Sequence, residues 1–128
     1  MIEFNEDTYC LGIWYLQGHR SDWLAAVTRD GNGPLVLRYR FRRYRDGKAF
    51  DSDDEKSWWQ ATCPNGGSED EIIRVVDGIM NDLIAKGFSV GEPWRAIVRG
   101  GAEVALQQLQ QAPFIHLRRV DDESPDQN

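Results

Sequence analysis

Lysine, cysteine and histidine are all scarce in this chain, and each shortage narrows what the protein can be. Three lysines stand against twelve arginines, so positive charge comes as planar guanidinium groups, suited to fixed ion pairs rather than a diffuse solubilising coat. Two cysteines, Cys10 and Cys63, are too few for a disulfide framework. Met1 to Asp7 has no positive n-region or apolar run, so no signal peptide is expected and both thiols are read as reduced, in a cytoplasmic protein. Neither His19 nor His116 has a second His, Cys or Glu at metal-ligand spacing. No apolar run approaches the ~20 residues of a membrane span. The nucleophile elbow, Rossmann fingerprint, zincin helix and kinase signature are all missing. The expectation is a soluble protein with no cofactor, no metal and no catalytic residue, more plausibly a non-enzyme.

Acids outnumber bases 21 to 15, giving a formal net charge of -6 and a pI near 4.8. That balance disfavours a general polyanion binder, because non-specific nucleic-acid affinity comes from neutralising phosphates. At 128 residues the chain is long enough for one domain that buries roughly two-thirds of its unfolded surface. The expected domain spans residues 1–120, followed by a disordered acidic tail at 121–128.

Against this acidic background one basic segment stands out. Leu35 to Arg45 alternates as a strand does and carries five arginines. Asp46-Gly47 is a two-residue hairpin signal. Folding back there sets Arg42 opposite Asp51, Arg40 opposite Asp53 and Arg38 opposite Glu55, all on one face of the ribbon. Five acids between Asp46 and Glu55 match the five arginines, so the ladder is expected to meet its own carboxylates. The competing reading leaves Arg38, Arg40 and Arg42 free to hold phosphates, with Tyr44 as a stacking surface.

Around this segment the pattern is that of an α+β domain. Tyr9 to Gln17 is apolar on both alternating faces, which marks a strand that is central or covered on both sides. Asp22 to Arg29 reads as a second strand, and Asp30-Gly31-Asn32-Gly33-Pro34 as the turn into the arginine strand. Ser68-Glu69-Asp70-Glu71 is a capping box. It opens a helix whose stripe is Ile72, Ile73, Val76, Ile79, Met80, Leu83 and Ile84, and which Gly87 closes. Trp94 to Arg99 is ambiguous between strand and helix, with Gly100-Gly101 as a break. Ala102 to Gln111 reads as a shorter helix with Val104, Ala105, Leu106 and Leu109 buried. Phe114 to Val120 reads as a last strand. The expected fold is an antiparallel sheet of four to five strands, an N-terminal meander plus a C-terminal strand, with one long and one shorter helix on one face. The sheet's other side would then need cover, and a homodimer in which Tyr9, Leu11, Ile13 and Tyr15 meet a second copy would supply it.

Five tryptophans exceed what core filling usually demands. Trp58 and Trp59 are adjacent, so on a strand they point to opposite faces. Two weaker features complete the set. Cys63-Pro64-Asn65-Gly66-Gly67-Ser68 leads into a helix N-terminus, but the acids at 69–71 would repel a phosphate. Asp51 to Glu55 lacks the glycine and distant glutamate of a calcium loop. The reading best supported is a small non-catalytic domain that binds a protein or small-molecule partner through Arg38, Arg40, Arg42, Tyr44, Trp58 and Trp59, Trp and Arg being the types most enriched at binding hot spots. The alternatives are a small enzyme whose pocket orients an anionic substrate with Arg40 or Arg42, and a single-stranded nucleic-acid binder.

Overall fold

The structure, a computed structural model, describes residues 4–19, 21–45, 48–49, 58–64, 67–88 and 92–111. The acidic segment 51–55, His116, the expected strand at 114–120 and the tail at 121–128 lie outside the described residues.

Six strands and two helices form an α+β domain in the order β1 (Thr8–Gln17), β2 (Ser21–Asp30), β3 (Val36–Arg45), β4 (Lys48–Ala49), β5 (Trp59–Thr62), α1 (Glu69–Ala85), β6 (Trp94–Gly101) and α2 (Ala102–Gln110). The sheet is antiparallel and runs β4-β3-β2-β1-β6, with β5 sharing the outer edge of β3. The ambiguous segment after Pro93 is therefore a strand. Gly100-Gly101 does not break it, because both residues pair with β1. β1 lies at the centre, as its two apolar faces require.

A bulge sets the faces of β1. Between Cys10 and Gly12 its register slips against both neighbours. Leu11 and Trp14 consequently share the first face with Leu16, while Cys10, Ile13 and Tyr15 share the second. Gly12 is required there: a Cβ would lie 2.8 Å from the Trp14 ring and 3.1 Å from the Ala96 carbonyl oxygen.

The two helices cover opposite faces, not one. Ile72, Ile73, Val76 and Met80 of α1 pack on Leu11, Trp14, Leu16, Trp23, Ala25 and Val27. On the other side Ala105 and Leu109 of α2 pack with Cys10, Ile13, Tyr15, Leu24 and Ala26. The physical reason is that both alternating sets of residues in β1 and β2 are largely apolar, so each face needs its own cover. This also corrects the expected dimer contact: Leu11, Ile13 and Tyr15 are buried by helices of the same chain. α2 buries less than its sequence suggests. Ala105 is inside, but Val104 and Leu106 are exposed.

Polar ties hold α1 along one flank. Tyr9 donates to Glu69 (2.9 Å), and Trp14 Nε1 donates to Asp77 (2.9 Å). From β6, Arg95 pairs with Asp77 and Arg99 with Asp70. Arg99 has a φ of +46° where β6 slips against the bulge, a left-handed conformation that costs a non-glycine residue about 1–2 kcal/mol. All these ties run toward β1 and β6. The flank of α1 that faces β3 and β5 has none of them.

Candidate functional site

The arginine face comes first. Arg42 pairs directly across the β2–β3 ladder with Asp22, and Arg40 lies diagonally from it. Arg42 Nη2 is 3.0 Å from one Asp22 oxygen and Arg40 Nη1 is 3.1 Å from the other. Tyr15 donates its hydroxyl to the same carboxylate at 3.2 Å. Asp22 and Arg40 are both 0% exposed. Trp58 stacks over the Arg40 guanidinium at 5.4 Å, an arrangement favoured by the ring quadrupole. Its indole Nε1 is buried without a hydrogen-bond partner. Arg38 lies on the same face, half-buried, opposite Ala26 on one side and Gln60 on the other.

The fold-back at residues 46–47 has the expected register where it is described, with Tyr44 opposite Ala49 and Arg45 opposite Lys48. It does not extend to Arg38. There Arg38 pairs with Gln60 of β5 and not with Glu55; Asp51 and Asp53, the expected partners of Arg42 and Arg40, lie outside the described residues. Trp-Gln-Ala-Thr suits a pleated, half-covered edge better than a run of Asp and Ser. Asp22, which sequence reasoning passed over, supplies a carboxylate to Arg40 and Arg42. The available signal was the β2–β3 hairpin: closing it at residues 31–33 brings Asp22 across from Arg42.

The remaining candidates fall elsewhere. Trp59 is on the opposite face from the arginine ladder, across from Tyr39, and is 63% exposed. The side chain of Tyr44 lies outside the described residues. His19 is exposed in the turn after β1. Among the described residues no group of three or more His, Cys, Asp or Glu could hold a metal ion, and no helix is long and apolar enough to cross a membrane.

On the first face an open cavity of about 190 Å³ lies between α1 and the end of β3, lined chiefly by Leu37, Cys63, Pro64, Ile72, Val75 and Glu71. Among the described residues its lining is almost wholly apolar, and Glu71 is the one charged residue in it. Burial pushes the Cys63 thiol above its usual pKa. Val75 on its rim is 62% exposed. Tyr39, Phe41 and Phe88 continue the apolar surface as two edge-to-face ring pairs. The open flank of α1 and the outer edge of the sheet thus form an apolar groove, and Trp59 is exposed on the same face of the sheet. Sequence reasoning found Trp59 but not the exposed Ile79, which belongs to the helical stripe expected to be buried, nor Val75, which lies outside that stripe.

No protein-family model, curated protein or solved structure matches this chain.

Proposed function

We propose that this chain is a non-catalytic interaction domain whose partner docks in the groove between α1 and the β3–β5 edge. The observation that carries the reading is Trp59, 63% exposed on the same face of the sheet as an apolar cavity. Tryptophan is the residue type most enriched at binding hot spots, and a large apolar surface left in water marks an interaction site. The arginines have a supporting role. Arg40 and Arg42 are buried against Asp22, so their charge holds β2 to β3 instead of facing a visitor. The same burial argues against a single-strand nucleic-acid binder, which needs those arginines on an open surface. An enzyme acting on an anionic substrate would want an arginine and a proton carrier in the cavity. Among the described residues the lining offers neither arginine nor histidine.

A random-peptide display library, panned against the folded protein, tests this. Selected peptides should shield Cys63 from alkylation and should lose most of their affinity on Trp59→Ala or Val75→Glu. Val104→Glu, on exposed α2, should leave binding unchanged. Peptides that bind equally well to all three variants would overturn the reading.

A further inference from the structure

We infer that the groove's occupant is an extended segment of a partner protein, added as a new strand to the outer edge of β5. This rests on the docking reading above and specifies its chemistry. The backbone geometry carries it. The Cys63 N–H donates to the Leu35 carbonyl at 2.8 Å, so Cys63 and Leu35 form a hydrogen-bonded pair of the antiparallel ladder. Such pairs alternate along a strand. Ala61 and Trp59, opposite Leu37 and Tyr39, therefore turn their N–H and C=O groups toward β3. Gln60 and Thr62 turn theirs the other way, to the outer edge, where no strand among the described residues pairs with them. All four residues of β5 are exposed.

The other edge of the sheet is built differently. β6 carries the slipped register, the left-handed Arg99 and the charges of Arg95 and Arg99, the devices by which proteins blunt an edge against added strands. β5 is Trp-Gln-Ala-Thr, without charge, proline or bulge. An added strand would gain main-chain hydrogen bonds from Gln60 and Thr62. Its residues on the first face would point toward the cavity and α1. Among the described residues Glu71 is the only charged one lining that cavity, so the matching segment carries an apolar anchor with a Lys or Arg beside it on the same face.

The test uses peptides from the display selection, with hydrogen exchange read at single amides. Peptide binding should slow exchange at Gln60 and Thr62 by roughly tenfold or more, while Ala61, already bonded to β3, changes little. Thr62→Pro removes one outward N–H and leaves the β3 pairing intact, since proline is tolerated on the free side of an edge strand. It should abolish binding with the circular dichroism spectrum unchanged. Selected sequences should show apolar and basic residues two apart. Peptides that protect Cys63 and need Trp59 but leave Gln60 and Thr62 exchange unaltered would sink strand addition and leave the groove standing. If no peptide protects Cys63, both readings fall. A protein that doubles its mass, with the doubling lost in Thr62→Pro, would put a second copy on this edge and overturn a separate partner.

Discussion

Asp22 and Arg42 face each other across the β2–β3 ladder with 3.0 Å between Oδ2 and Nη2, and the other Asp22 oxygen is taken by Arg40. A fully buried carboxylate thus bridges two alternate rungs of the arginine strand. Removing it leaves both guanidinium groups inside the protein with a lost counter-charge, the costly way to break a buried pair. Asp22→Ala is expected to destabilise the fold by about 3–5 kcal/mol. Urea unfolding should show a midpoint shift of that size. In a double-mutant cycle, Arg42→Ala should add much less in the Asp22→Ala background than alone, because the two residues share one interaction. Simple additivity would mean that the pair is not coupled.

Gly12 and Trp14 are a second closely fitted pair. The Cβ introduced by Gly12→Ala would press on a fully buried indole and on the Ala96 carbonyl, a backbone atom with little room to yield. The expected cost is about 1–3 kcal/mol. Thermal unfolding measures it. A melting temperature equal to that of the parent protein would show that the β1 bulge is looser than its contacts imply.

The two thiols should separate cleanly by reactivity. Burial raises Cys63 above the ordinary thiol pKa and pushes Cys10 up to about 12. Native protein near neutral pH should be alkylated at Cys63 alone, more slowly than a free cysteine, because only the thiolate attacks. Cys10 should label only on unfolding. Mass spectrometry of the alkylated peptides decides this, and fast labelling of Cys10 in the native state would contradict its burial.

The same shift sets the sign of an alkaline effect. Above about pH 9 the unfolded chain's Cys10 thiol gives up its proton while the folded one keeps it, up to about 12. The unfolded state then binds fewer protons, so stability falls as pH rises through that window. Cys10→Ala should flatten the decline relative to the parent protein. Unfolding curves of both at matched pH values provide the comparison.

What could be read from residues alone was local. Ser68 caps α1 and accepts from the Glu71 N–H as the capping box requires. At the other end Gly87 has a φ of +88°, with Phe88 donating to Leu83 and Gly87 to Ile84, the closure that a glycine followed by an apolar residue predicts. The pairing of Tyr44 with Ala49 follows from a two-residue turn. The opposite orientation of Trp58 and Trp59 follows from strand geometry. In each case the deciding groups lie within a few residues, so sequence spacing already fixes their distance.

Tertiary structure alone decided the rest. A guanidinium group can pair with a carboxylate on either neighbouring strand, and only the assembled sheet brings Asp22, twenty positions before Arg42, to Arg40 and Arg42. Apolar alternation in β1 required cover on both faces without saying whether α2 or a second molecule would provide it. Ile79 belongs to the apolar stripe of α1 yet is exposed, and Val75, one turn before it, lines an open cavity against the end of β3. Charge and hydrophobicity are properties of residues, but which surface stays open depends on where distant elements come to rest.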